Sequence, residues 1–125
     1  MESNMVGWFE IPVSDMKRAK KFYDSVFDIS IAIHDMGELK MGWFPNAPGK
    51  SGATGSLMQH EMYKPSATDG ALLYFSCKDV AIELSRVEAA NGEILKEKTE
   101  IGGGHGFMAL VKDTEGNRIA LHSQV

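Results

Sequence analysis

The strongest constraint on this chain is that one plan occurs in it twice, 64 positions apart. In the first copy, Met5 to Val13 places apolar residues at alternate positions, Phe9, Ile11 and Val13, as a strand with one face on a core requires. Trp8, Glu10 and Pro12 then share the other face. The period changes at Ser14-Asp15. Asp15 stands where a helix N-cap belongs, able to accept from first-turn N–H groups and suited to the positive end of the helix dipole. Met16, Ala19, Phe22, Tyr23, Val26 and Phe27 follow on one helical stripe, with Lys17, Arg18, Lys20, Lys21 and Asp24 off it.

The second copy starts with the apolar run Ala71 to Cys77, passes Lys78-Asp79 and continues as a helix through Ala90. At the shift of 64, Ile11 meets Phe75, Val13 meets Cys77, Asp15 meets Asp79, Met16 meets Val80, Tyr23 meets Val87 and Val26 meets Ala90. The capping aspartate and the change from period two to period 3.6 fall in register, which ties the two copies together more firmly than any single match. Asn91-Gly92 ends the second helix as a left-handed C-cap does.

Between the copies, Ile29, Ile31 and Ile33 alternate with Ser30, Ala32 and His34, and Leu39, Met41 and Trp43 alternate after an Asp35-Met36-Gly37 turn, so the pattern predicts a hairpin. Pro45 to Gly52 is a Pro- and Gly-rich loop of the kind that often acts as a cover, Ala53 to His60 a fourth strand, and Glu61 to Gly70 a polar linker. The second half repeats the plan with strands over Gly92 to Ile101, Phe107 to Lys112 and Asn117 to Ser123. Gly102 to Gly106 has glycines but no Lys-Ser/Thr pair and no following helix, so it is a turn rather than a phosphate loop.

The balance of 13 Lys and Arg against 17 Asp and Glu gives a net charge of −4 without a long basic track, which argues against nucleic acid as a partner. No apolar run approaches the ~20 residues needed to span a bilayer, and the N-terminus lacks the apolar core of a signal peptide. The one cysteine, Cys77, excludes an internal disulfide; it suits a reducing cytoplasm and a buried small residue rather than a nucleophile.

Phe9-Glu-Ile-Pro-Val-Ser-Asp15 with Arg18-Ala-Lys-Lys-Phe-Tyr23, together with Phe107 through His122, resembles the vicinal-oxygen-chelate superfamily of glyoxalases, bleomycin resistance proteins and extradiol dioxygenases. The resemblance covers nearly the whole chain. It implies an α+β fold in one domain over residues 1–125: two tandem βαβββ modules, about 1–62 and 70–125, forming a curled, incomplete barrel around a cleft with helices outside. Enzymes of that family hold a divalent metal through His, Gln or Glu on the first and last strands of each module. Carried over, those positions fall on Trp8, Leu72 and Ala120, and on a fourth near Met58 or Gln59. Indole, isobutyl and methyl groups offer a metal no lone pair, so the shared metal site is expected to be absent and no cofactor is expected.

The remaining candidates are polar residues on strand faces. Glu10 should face the cleft beside Trp8, where unpaired burial would raise its pKa and make it a proton-transfer group, or where it pairs with Arg118 at a wet mouth. Tyr74, its counterpart, either orients a ligand or is a core tyrosine. Arg118, Ala120 and His122 alternate with Ile119 and Leu121 and should point into the cleft, with His122 a base, ligand or structural residue. Of Gln59 and His60, which point opposite ways, Gln59 is assigned to the cleft. His105 and His34 are expected at the surface. The reading favoured is a metal-free small-molecule binder with Trp8, Trp43, Tyr74 and methionines as apolar contacts and with Gln59, Glu10 and Arg118 fixing polar groups. The alternative is a glyoxalase-like lyase or isomerase using Glu10 or His122 for proton transfer, with or without a displaced metal among Glu10, Gln59 and His122. The resemblance further implies a homodimer, of swapped or unswapped modules.

Overall fold

A computed structural model describes residues 2–125. Its elements run β1 (Phe9–Pro12), α1 (Met16–Phe27), β2 (Ala32–Asp35), β3 (Lys40–Trp43), β4 (Gly55–Gln59), β5 (Tyr74–Ser76), α2 (Val80–Val87), β6 (Glu93–Glu100), β7 (Phe107–Lys112) and β8 (Arg118–Ser123). They form two four-stranded sheets with the orders β1-β4-β3-β2 and β5-β8-β7-β6, each with its first strand parallel to its last. The expected tandem of βαβββ modules is therefore the fold. The shift of 64 holds at the level of pairing: Glu10 lies opposite Ser56, and Tyr74 lies opposite Ala120. The two sheets share no ladder and no barrel closes among the described residues.

Both helix starts behave as their aspartates dictate. The Asp15 carboxylate accepts the Arg18 N–H at 3.1 Å, and the Asp79 carboxylate accepts the Ala81 N–H at 2.9 Å. A second cap comes from the last strand of each module: Gln59 Oε1 accepts the Met16 N–H at 2.8 Å, and Ser123 Oγ accepts the Val80 N–H at 3.1 Å. These pairs are again related by the shift of 64. The end of α2 departs from expectation. Regular helix stops at Val87; the left-handed residue is Asn91 at φ 70, and the Gly92 N–H returns to the Val87 carbonyl at 2.9 Å. Glycine is required at 92 by space, since a Cβ there would stand 2.4 Å from Phe22 Cε1.

One core runs through both modules. Ile11, Val13 and Leu57 of the first sheet and Ala109, Val111, Ile119 and Leu121 of the second are buried with the α1 stripe Met16, Ala19, Phe22, Tyr23, Val26 and with Val80, Leu84 and Val87 of α2. The helices touch, and Arg86 of α2 donates to the Val26 carbonyl at 3.0 Å. On β3 the residue turned to the helix is Gly42, whose missing Cβ leaves room for the Met16 sulfur 2.8 Å from where it would stand. Met41 and Trp43 consequently lie on the opposite face. The first strand is also shorter than its pattern: residues 5–8 precede the ladder because β4 offers partners only from Phe9 to Pro12.

Candidate functional site

Each sheet has one face on the core and one turned away from its helix. Glu10, Ser56, Met58, Met41, Trp43 and His34 fall on the face of the first sheet away from its helix by register, and Trp8, just before the ladder, joins them through its contact with Trp43. Trp8 and Trp43 are each 44% exposed and meet edge to face with centroids 6.3 Å apart, and the His34 ring lies 4.4 Å from that of Trp43. Glu10 is exposed, and its oxygens are both occupied: Trp8 Nε1 donates at 3.3 Å and the Tyr63 hydroxyl at 2.8 Å. The carboxylate is therefore neither unpaired nor bonded to Arg118. The hydrogen bond to Glu10 in turn holds the Tyr63 hydroxyl above its ordinary pKa. Tyr63 comes from the polar linker, 53 positions from Glu10, where nothing in the local sequence marks it.

Glu10 and Arg118 nonetheless line the same cavity, of ≈270 Å³, between β1, the linker and the start of β8, with Lys64 and Asp69. That cavity offers two anionic heads, Glu10 and Asp69, and two cationic heads, Lys64 and Arg118, on a wall that mixes apolar residues with Ser66 and Asn117. Asn117 builds its floor by donating Nδ2 to the Pro12 carbonyl at 2.7 Å, and so ties the modules together beside the site.

On the second sheet, Tyr74, Ala120, Leu110, His122 and Met108 share the bare face by register. Tyr74 is 53% exposed, so it is not a core tyrosine, and it lines a separate ≈540 Å³ hollow against Met5 and Val6. His122 Nε2 lies 2.7 Å from the His105 carbonyl oxygen. Because a carbonyl only accepts, Nε2 carries a hydrogen, and in the neutral ring Nδ1 is the acceptor. The glycine run 102–106 thus serves to bring a backbone carbonyl to His122. Gly106, at φ 83, has the Ser123 carbonyl 2.3 Å from where a Cβ would stand.

Gln59 is on the other side. Its amide caps α1 through Met16, so the assignment of Gln59 to the open face is corrected, and the residue of that pair which shares the face of Glu10 is His60. The register also gives the module-one counterpart of Ala120, the position that the family pattern left open near Met58 or Gln59. Ala120 pairs with Tyr74 as Ser56 pairs with Glu10, so the module-one position is Ser56, whose buried hydroxyl already donates to the Leu57 carbonyl at 2.8 Å. Trp8, Ser56, Leu72 and Ala120 do not fit a divalent ion. Gln59, turned to the helix, cannot join Glu10 and His122, and among the described residues no three His, Cys, Asp or Glu side chains gather into a metal-binding group.

The model of the Glyoxalase/Bleomycin resistance protein/Dioxygenase superfamily matches residues 5–121. The chain belongs to this superfamily. No curated protein matches it in sequence. Among solved structures, glyoxalase I from Zea mays superposes with a TM-score of 0.75 at 17% identity; the match covers 94% of this chain and 45% of the maize protein, so this chain spans about half of that protein's length. Glyoxalase I from Leishmania major gives a TM-score of 0.72 at 20% identity over 98% of this chain and 88% of that one. TnmS3, an antibiotic-binding protein from Streptomyces sp. CB03234, gives 0.65 at 23% identity over 98% of each chain. These likenesses establish the superfamily's fold for this chain, and catalysts and binders both occur among its neighbours. No helix among the described residues is long and apolar enough to cross a membrane.

Proposed function

We propose that this superfamily member binds a small organic molecule on its bare sheet faces without the metal site usual in the family's enzymes. The observation that carries the reading is the pairing of exposed Trp8 and Trp43 beside a carboxylate, Glu10, that Trp8 and Tyr63 hold in place. Large aromatic surface with one oriented polar group is what recognition of an organic guest needs, whereas indole, isobutyl and methyl groups and an already engaged serine hydroxyl at the positions of metal ligands remove what an ion needs. Glu10 and Arg118, sharing one cavity, favour a guest bearing both a donor and an anionic group. The resemblance to TnmS3, whose role is antibiotic binding, supports the same side.

The proposal includes a homodimer and a reducing, cytoplasmic setting. Apolar side chains exposed away from the Trp8–Trp43 pair, among them Ile82, Leu95 and Ile101, are surface a second copy would cover, and Cys77 remains a free thiol.

One observation favours proton transfer as a second reading. His122, fixed through Nε2, presents Nδ1 as an acceptor, the disposition of a general base in a lyase or isomerase. Titration of the Trp8 and Trp43 fluorescence with a panel of small aromatic acids separates the two. Binding predicts a saturable change that weakens, without loss of any turnover, in Glu10→Gln. Turnover abolished in Glu10→Gln or His122→Ala would establish the second reading instead.

A further inference from the structure

We infer that the helix-side cavity under the loop of residues 45–54 is a second ligand site, distinct from the bare sheet faces, and that it takes a small hydrophobic ammonium ion. The cavity measures ≈310 Å³, at the lower end of the range for small-molecule sites. Phe9, Phe27, Phe44 and Phe75 line it, drawn from β1, the end of α1, the strand end after β3, and β5. Their rings form one connected surface: Phe9 to Phe44 at 5.4 Å, Phe9 to Phe75 at 5.8 Å, Phe44 to Phe75 at 5.8 Å and Phe27 to Phe75 at 4.9 Å. Both modules therefore contribute to it. The same rings border the core, yet they are only partly buried because the cavity opens beside them.

The lining has one carboxylate, Glu83 of α2. Its Oε1 is buried and has no hydrogen-bond partner among the described residues. A buried carboxylate oxygen without a donor costs free energy that a ligand's N–H can recover. The neighbouring group supplies no positive charge: burial first, then the charge of Glu83 and a hydrogen bond with it, push the Cys77 thiol up to about 12, so it stays a neutral, weak donor that leaves Oε1 open to a stronger one. Lys50 is exposed on the covering loop and makes no ion pair with Glu83. An ammonium group on an aryl or alkyl body satisfies both features, bonding Glu83 and lying against phenylalanine faces, which attract cations through their ring quadrupoles. The roof is the Pro- and Gly-rich loop, anchored where the Thr54 hydroxyl reaches the Phe44 and Pro45 carbonyls at 3.4 and 3.0 Å.

The test uses the intact chain and three probes with one phenyl body: 2-phenylethylamine, 2-phenylethanol and 3-phenylpropanoate. Calorimetric titration should show the amine binding about tenfold more tightly than the alcohol, with the acid weakest, and Glu83→Gln should bring the amine down to the level of the alcohol. Backbone amide shifts induced by the amine should concentrate at residues 44–54 and 75–83. Equal affinities for the three probes overturn the inference, as does tighter binding of the acid, which would make Lys50 the recognising group. Absence of amine binding, or shifts centred on Trp8, Tyr74 or His122, overturns it as well; the wild-type shift map decides even if Glu83→Gln does not fold.

Discussion

Tyr23 of α1 donates its phenolic hydrogen to Asp113, in the turn between β7 and β8, across 2.6 Å, and so joins the helix of one module to the hairpin of the other at 0% exposure. Asp113 also accepts from the Glu115 and Asn117 N–H groups and from Asn117 Nδ2, which makes it the hub of the second hairpin turn. Burial, then the neighbouring Asp113 carboxyl, raise the Tyr23 pKa well above 10.0.

Tyr23→Phe should therefore lower unfolding free energy by about 1–2 kcal/mol, since it removes one buried bond and leaves an acceptor short of a donor. The sign of the pH effect follows from the raised pKa. Tyr23 contributes fully below the unfolded value near 10, and the contribution is lost as pH climbs beyond it. Urea unfolding at pH 7 and pH 11 should show a smaller loss between the two for Tyr23→Phe than for wild type. Equal losses would contradict the assignment.

Glu115 makes the second bridge between modules. Its carboxylate accepts from the Ser14 and Asp15 N–H groups at 2.9 and 2.8 Å and from Arg18 Nε at 2.7 Å. Burial alone would raise its pKa; the bonds from Arg18, Asp15, Thr114 and Ser14 outweigh it and hold the group below its ordinary 4.5. This stability is present above that value and is lost as pH falls through the folded-state value. Glu115→Gln should cost about 1–2 kcal/mol at pH 7 and less as pH is lowered below 4.5, as read from denaturant midpoints. Arg18→Ala should cost less, because the guanidinium side of the pair is 52% exposed.

Cys77 should be a poor nucleophile. With the thiol pushed up to about 12 from 9.0, its thiolate population at pH 8 falls by about 10³. Iodoacetamide should alkylate the folded chain about 10³-fold more slowly than the chain in urea. Comparable rates would mean that Cys77 is neither as buried nor as close to Glu83 as described.

The tandem plan is legible in the sequence because Asp15 and Asp79 cap their helices by local chemistry, and the stripes from Met16 and Val80 need only a sheet to cover. The exact shift of 64 even contains the answer to Gln59: its counterpart is Ser123, and both cap a helix start, a function visible only once the register is known. Glu10, Trp8, Arg118 and His122 lie on bare faces as strand alternation requires. Tyr63 and Lys64 are not legible, because they reach the site from a linker whose path is set by Ser66 and Asn117 rather than by any local period. The Glu83 cavity is hidden for a related reason: its four rings come from separate elements and meet only through the packing of two modules.

The central claim is that this member of the superfamily holds an organic guest where its relatives' enzymes hold an ion. Elemental analysis after equilibrium dialysis against Zn, Ni, Mn and Fe, of wild type and of Glu10→Gln and His122→Ala, tests it most directly. The account predicts substoichiometric metal, unchanged by either substitution. Stoichiometric metal that disappears in both variants would contradict it.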